Sequence, residues 1–472
     1  MSAVSHKKYT RHYKRWREDV LLASPFVIFC GIIACIFLFY RFVLVVAPLA
    51  LLQNTGPVVH HSAGDLVCSE EEGNPPADPT PILSASYQKR IQDTVALSSN
   101  LVVNAGLLAT NPTNLQPVGF THTTATQGAK YSRGRDTPTS PPYLRVIATK
   151  DTTGNTVPPA WLMQPVTVAS GRTYAYSFMY RSSVPVDVST ETMKGNKTAY
   201  QDVTTLDASA SWQQFTAHFS NTTEAAMFRM DISSKHKGSV DTRGFTIHEI
   251  ASAELPEGIV SVAFDDGWQS ISDKAVPLLD KYHIRTTQYI ISDVAAHNVS
   301  GYMNYATIQK LRKEGHEIGS HTLNHCDQTM LDSPAITRDA DKSKQMLESR
   351  KLGPVKSFAY PLGQYDEKTQ AVYEKAYPLV RSSDFGYNDR YFDETNIHSI
   401  GILNSTSDKE FRSWLDYAKK HKAWVVLVYH KIDATPETYS VTGAQFERQL
   451  QMIKESGLMV EPISAAAKTV RP

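Results

Sequence analysis

The stretch Val260-Ser261-Val262-Ala263-Phe264-Asp265-Asp266-Gly267-Trp268 sets two adjacent carboxylates at the tip of an apolar run. Residues 259–264 are few, partly β-branched and closed by a glycine turn, the pattern of a buried strand. Two acids at its end repel each other and resist desolvation, so something must hold them there. A turn that uses Asp and Gly for their backbone habits is one explanation. A metal ion, with one acid as ligand and the other as base, is the second.

Downstream, strand and helix patterns alternate. Residues 271–282 read as a helix, 286–291 as a strand, 305–315 as a helix with a glycine stop, and 316–320 as a strand. A helix at 335–349, a strand at 355–360 and a helix at 368–376 follow. A strand at 423–429, a helix at 442–456 and a last strand at 459–463 complete the series. This repetition predicts an α/β fold with a parallel sheet, open or closed into a barrel. In such folds chemistry gathers at the carboxyl ends of the strands, where Asp265 and Asp266 stand.

Other strand ends carry reactive groups too. His321-Thr322-Leu323-Asn324-His325 follows the strand at 316–320. If it turns helically, both imidazoles face one side, as a divalent metal requires. Pro361-Leu362-Gly363 follows the strand at 355–360 as a tight turn able to aim backbone N–H groups into a cleft. His430 ends the apolar run WVVLVYH. Singly each is commonplace; together they point to one site.

FDDG, SHTLNH, FAYPLGQYD and LVYH, in this order, resemble the polysaccharide deacetylases, the NodB-type carbohydrate esterases of family 4, over residues 256–465. The resemblance implies a deformed (β/α) barrel that hydrolyses N-acetyl, or sometimes O-acetyl, groups on a polysaccharide. It assigns Asp266, His321 and His325 as metal ligands, Asp265 as general base and His430 as general acid. The Leu362 backbone N–H would hold the oxyanion, and Trp268, Tyr360 and Pro361 would line the substrate cleft. Zinc is the implied cofactor, with cobalt and nickel as alternatives. The chemistry is coherent: two imidazoles and one carboxylate leave open positions on such an ion. An amide, a poor electrophile with a poor leaving group, needs a base for the water and an acid for the departing amine.

Departures from the pattern are equally informative. Many family members carry Arg-x-Pro-Tyr-Gly where this chain has Ala359-Tyr360-Pro361-Leu362-Gly363, and that arginine orients the catalytic pair. The FAYP form followed by G-x-Y-D resembles a branch that includes poly-N-acetylglucosamine deacetylases, in which this arginine is generally missing. No Asp-Trp counterpart of the fourth motif stands near residues 382–393, where Asp384 and Asp393 are the candidates. What aligns Asp265 is left open.

Before the barrel, residues 84–253 are rich in Ser, Thr and Asn, with alternating segments such as TYAYSFMY and WQQFTAHF. They predict an all-β sandwich, jelly-roll-like, resembling carbohydrate-binding modules. Trp161, Trp212 and Tyr176 are its candidate sugar platforms, each also explicable as core. No helix-length apolar stripe is visible there. Residues 53–83 read as a Pro- and Gly-rich linker.

Residues 1–19 carry Lys7, Lys8, Arg11, Lys14, Arg15 and Arg17 ahead of an apolar stretch, residues 20–52. A spanning helix needs about 20 apolar residues. A single-pass plasma-membrane anchor with a cytoplasmic N-terminus is therefore expected, residues 254–472 lying outside the cytoplasm as the deacetylase domain. A cleaved signal peptide is the competing reading.

Forty-eight basic against 47 acidic residues give a net charge of +1, which makes no case for nucleic acid. The four cysteines show no disulfide framework or metal knuckle. The expected partners are the membrane and a polysaccharide: peptidoglycan, poly-N-acetylglucosamine, chitin or acetylated xylan. A non-catalytic, membrane-anchored glycan-binding protein that retains the barrel is the alternative function.

Overall fold

The computed structural model describes residues 82–471, apart from 124–127, 154–155, 222–223 and 225. The expected basic tail, anchor and nearly all of the linker lie outside the described residues. Among the described residues no helix is long and apolar enough to cross a membrane.

A short helix, Ala85–Gln92, opens the described chain, where the sequence showed no helical stripe. Ser84 caps it by accepting from the Tyr87 N–H, and only Tyr87 and Ile91 are buried, too few to make a stripe. Strands β1 (Phe120–His122), β2 (Ala129–Gly134), β3 (Tyr143–Ala148), β4 (Ala160–Met163), β5 (Val166–Val168) and β6 (Arg172–Ser182) follow. Then come β7 (Val186–Lys194), β8 (Lys197–Leu206), β9 (Gln213–Asn221), β10 (Ala226–Ser233) and β11 (Gly238–Ile250). They form two sheets, ordered β1-β4-β10-β7-β8 with β5 beside β10, and β2-β3-β11-β6-β9. Every pairing is antiparallel. Val146, Tyr176 and Phe178 of one sheet and Val188, Phe228 and Met230 of the other share one core.

The three candidate sugar platforms fare poorly here. Trp161 and Tyr176 are core residues, 8% and 2% exposed. Trp212 lies under the guanidinium groups of Arg243 at 3.8 Å and Arg181 at 4.7 Å, while its Nε1–H donates to Asp136. Its ring is taken up by cation–π contacts rather than offered to a sugar.

The second half is a parallel barrel. Its strands are β12 (Ile259–Phe264), β13 (Thr287–Ile290), β14 (Glu317–Ser320), β15 (Ser357–Ala359), β16 (Leu379–Phe385), β17 (Ile397–Gly401) and β18 (Trp424–Tyr429). They run β13-β14-β15-β16-β17-β18-β12, and β12 pairs back onto β13 to close the ring. A small pair, β19 (Lys431–Ile432) and β20 (Ser440–Val441), follows β18, and β21 (Met459–Val460) lies against the start of β12. Closure involves only Ala263↔Thr287 and Phe264↔Gln288, because β21 occupies the other end of β12. That wedge is the deformation.

Strands β12 and β18 are buried along their whole length, as central parallel strands covered on both faces must be. Five of the surrounding helices begin at polar caps. Asn304, Asp332, Asp366, Ser407 and Thr442 each accept a backbone N–H of the first turn. Strands β16 and β17 and the helix Asp408–Lys420 complete the ring where the sequence had suggested no elements. The cause for β16 is chemical: Arg381 and Ser382 occupy buried positions in it, so no apolar run betrays the strand.

The sandwich side meets the barrel through polar contacts. Asp393 accepts from the Ser84 N–H at 2.7 Å and from Ser84 Oγ at 2.8 Å. His218 Nε2 lies 2.8 Å from Asp389 Oδ2. Asp393 is thus a junction residue and no counterpart of a catalytic motif. Asp384 is likewise engaged elsewhere, accepting from the Tyr365 hydroxyl at 2.5 Å and from Asn396 Nδ2 at 3.1 Å.

Candidate metal centre and active site

The register of β12 on β18 pairs Phe264 with Tyr429, so the next residues, Asp265 and His430, leave the barrel rim side by side. The Asp265 N–H donates to the Tyr429 carbonyl at 3.0 Å. His430 Nε2 lies 3.9 Å from Asp265 Oδ2. In the same way Ile290↔Ser320 and Ser320↔Phe358 bring the loop after β14 between β13 and β15.

That loop is not a helical turn. Thr322 and His325 stand at φ 67° and 63°, and the Thr322 hydroxyl accepts from the His325 N–H at 2.9 Å. The left-handed kinks, rather than helical spacing, bring the two rings together, 4.9 Å apart. Asp266 (φ 71°) and Leu362 (φ 57°) are also left-handed. Among the described residues, four of the eleven non-glycine residues with positive φ therefore belong to this one site. Such backbone costs of order 1–3 kcal/mol apiece and persists where its surroundings over-determine it.

Asp266 Oδ1 lies 3.5 Å from His321 Nε2 and 3.4 Å from His325 Nε2. It is buried and makes no hydrogen bond. These are the separations of atoms around a tetrahedral ion, because bonds of about 2.0–2.1 Å place neighbouring ligand atoms about 3.4 Å apart. The donor set of two imidazoles and one carboxylate fits zinc or a similar borderline ion. Among the described residues this is the one group of three or more such side chains with metal-ligand spacing.

Two of the three candidate ligands are aimed by a partner. His321 Nδ1 lies 2.9 Å from the Ala359 carbonyl, which leaves Nε2 to face Asp266. Trp268 Nε1–H donates to Asp266 Oδ2 at 2.9 Å, freeing Oδ1. The Trp268 ring stacks on Tyr302 with centroids 4.3 Å apart and has the Lys431 ammonium at 5.4 Å. Its place is thus in support of the ligand carboxylate, not at an open sugar face. Burial works to raise the Asp266 pKa, but contact with His321 and the fields of His321, His325 and His430 hold its carboxyl well below the usual carboxylate range. Burial, reinforced by His321, pushes His325 down to about 4.

The alignment of Asp265 rests on a residue the sequence reading missed. Arg381 Nη2–H donates to Asp265 Oδ2 at 2.6 Å, both side chains being nearly buried. Arg381 stands on β16 directly opposite Ala359 on β15, so the arginine absent from the third motif is supplied by the next strand. Its guanidinium also lies 5.2 Å from the Tyr289 ring centroid. A lone arginine between a valine and serines offers no motif; only the strand register reveals it.

The remaining assignments divide. Leu362 sits in a short turn, Pro361–Gly363, with its side chain 60% exposed. Tyr360 and Pro361 are buried rather than open to a cleft as expected. The reason is strand alternation: Tyr360 turns into the layer under the helix Glu367–Ala376, stacked on Tyr365 at 4.9 Å. Cys326, beside His325, is disulfide-bonded, where the sequence had shown no disulfide framework.

The barrel sequence is similar to those of known proteins. The polysaccharide deacetylase family model matches residues 252–377. YxkH of Bacillus subtilis is 23% identical over 164 residues, 34% of this chain and 58% of that protein. A bifunctional xylanase/deacetylase of Pseudobutyrivibrio xylanivorans is 21% identical over 267 residues, 56% of this chain and 40% of the other. A chitin deacetylase of Colletotrichum lindemuthianum is 32% identical over 89 residues, 19% of this chain and 33% of that one. The chain thus spans less than two thirds of each relative's length. Among solved structures, the peptidoglycan deacetylase PdaC of Bacillus subtilis has 13% identity and a TM-score of 0.32, over 45% of this chain and 92% of that one. Over residues 252–377 this chain is similar to the polysaccharide deacetylases.

Proposed function

We propose that the protein is a metal-dependent hydrolase that removes N-acetyl groups from an N-acetylhexosamine polysaccharide outside the cytoplasm. The observation that carries this reading is the convergence on one barrel rim of Asp266, His321 and His325 with the Arg381–Asp265 pair and His430.

A divalent ion held by Asp266, His321 and His325 would supply Lewis acidity toward the acetyl carbonyl and acidify the attacking water. The protein's own groups do the rest. Arg381 occupies Asp265 Oδ2, while Oδ1 is buried without a hydrogen-bond partner and is the lone-pair side available to take the water's proton. Oxygen then adds to the carbonyl carbon, and the Leu362 N–H is the candidate donor to the developing oxyanion. His430, half-buried at the rim, delivers a proton to the amine nitrogen as the C–N bond breaks, releasing acetate and a free amino sugar.

The single-pass anchor at residues 20–52 belongs to the same proposal, and so does a position outside the cytoplasm. The basic flank supports it, as does the disulfide at Cys326, since disulfides persist in oxidising compartments. The FAYP-type third motif favours poly-N-acetylglucosamine or peptidoglycan. A xylan O-acetyl esterase is the second reading, favoured by the xylanase/deacetylase relative that matches over half of this chain.

Acetate release decides it. The protein, loaded with zinc or cobalt, is offered N-acetylglucosamine oligomers, peptidoglycan and acetylated xylan beside its Asp265→Asn variant. Release from an N-acetylated glycan that the variant lacks is expected. No metal-dependent release from any of them sinks the enzyme reading in favour of a non-catalytic glycan binder.

A further inference from the structure

The loop that carries His321 and His325 is held in an unfavourable conformation by groups remote from it in sequence. Thr322 is β-branched and stands at φ 67°, where such residues are outliers. Backbone of that kind persists only where its surroundings over-determine it. The peptide groups between the two candidate ligands show how this is done. The Leu323 N–H donates to both oxygens of Asp339, at 3.2 and 3.3 Å. The Thr322 carbonyl accepts from Ser343 Oγ at 3.1 Å and from the Ser292 N–H at 3.2 Å. The Leu323 carbonyl accepts from the Asp293 N–H at 3.0 Å.

Asp339 and Ser343 lie four residues apart on the helix Ser333–Ser349 and so share one face. That face is buried, and Ile336, Ala340 and Leu347 pack from it into the core. Asp339 is 1% and Ser343 0% exposed. Apolar side chains would pack the same positions without the cost of burying a carboxyl group and a hydroxyl. Both polar groups are instead aimed at the ligand loop. Ser343 Oγ is itself fixed, 2.8 Å from Ser320 Oγ and 3.0 Å from Ser292 Oγ.

We infer that Asp339 and Ser343 are positioning residues of the metal centre, gripping from one helix face the peptide groups between His321 and His325 and so preforming the ligand pair. The inference rests on the reading of Asp266, His321 and His325 as a metal centre. Both residues act through the loop backbone. An ion that meets a loop already in its ligating shape has nothing to order; without the grip, ordering the loop weakens binding. Partners that orient metal ligands are typically worth about 10–100-fold in metal affinity.

The test uses the full chain, stripped of metal and titrated with zinc against a chromophoric chelator. The visible spectrum of the cobalt-loaded protein is the second readout. Asp339→Leu is expected to weaken zinc binding by about tenfold or more and to change the cobalt spectrum. Asp339→Asn keeps an acceptor for the Leu323 N–H and should bind nearly as the parent does, with Ser343→Ala between the two. Leu347→Ala, a core truncation on the same helix, should lower the melting temperature and leave zinc affinity and cobalt spectrum unchanged. Weakening that Leu347→Ala matches at equal loss of melting temperature overturns the inference. So does zinc binding by Asp339→Leu and Ser343→Ala that equals the parent's. If Asp339→Leu does not fold, Ser343→Ala decides by the same two readouts. Parent protein that binds zinc but releases no acetate overturns the deacetylase reading and leaves this inference standing. Parent protein that binds no zinc overturns the metal centre and the inference with it.

Discussion

Replacing Arg381 by methionine tests the central claim about the site, that an arginine on β16 holds the catalytic carboxylate. The Arg381 and Asp265 side chains are 4% and 6% exposed and meet at 2.6 Å. With charge centres about 4 Å apart and an effective dielectric of about 20, their attraction is about 4 kcal/mol. Removing one partner of a buried pair typically costs about 3–5 kcal/mol, since the other charge is left unpaired. Arg381→Met in metal-free protein should therefore lose roughly that much stability in denaturant unfolding. Adding Asp265→Asn in the same chain should restore most of the loss, a coupling seen only when two groups act on each other. Acetate release by Arg381→Met should fall by about 10²–10⁴, the worth of a positioned base, mainly in kcat. Arg381→Lys should recover part of this, keeping the charge without the planar fork. Additive stability losses, or an Arg381→Met enzyme with wild-type kcat, would refute the assignment.

Three further outcomes are expected. Dialysis against a chelator should abolish acetate release, and His321→Ala or Asp266→Ala should each reduce the bound zinc measured by elemental analysis to near zero at micromolar metal. Tyr439, 62% exposed with its ring 5.5 Å from that of His430, should wall the leaving-amine side of the cleft. Tyr439→Ala is then expected to raise KM several-fold while the melting temperature stays put. Asp339, 1% exposed, accepts at 3.2 Å from the Leu323 N–H, which lies between the two candidate ligands His321 and His325. Burial pushes its carboxyl up to about 7, against about 3.9 in the unfolded chain. The folded protein thus binds the extra proton between those values. The stability this contributes is fully present below about pH 4 and is lost as pH rises through 7, about 4 kcal/mol in all. Asp339→Asn, which keeps an acceptor for Leu323, should flatten that dependence; a wild-type pH profile of melting temperature in the variant would contradict it.

The strands that carry FDDG and LVYH were legible because central parallel strands must be apolar along their length. The acids and histidines at their tips stood out by contrast. By the same logic β16 was invisible: its buried positions include Arg381 and Ser382, which bury polarity instead of oil. The roles first given to Trp268, Tyr360 and Pro361 came from their nearness in sequence to motif residues. Nearness along a strand does not settle direction, and alternation turned Tyr360 into the core.

The sequence by itself determined the strand–helix order of the barrel outside β16, β17 and the helix Asp408–Lys420, and which residue types stand at the strand ends it revealed, because periodicity is a local property. Tertiary structure alone decided the partners. The left-handed kinks at Thr322 and His325 bring two imidazoles to Asp266, Trp268 frees one oxygen of that carboxylate, and register sets Arg381 across from Ala359. Strand register joins residues more than a hundred positions apart, Asp265 and Arg381 among them, and no local pattern encodes it.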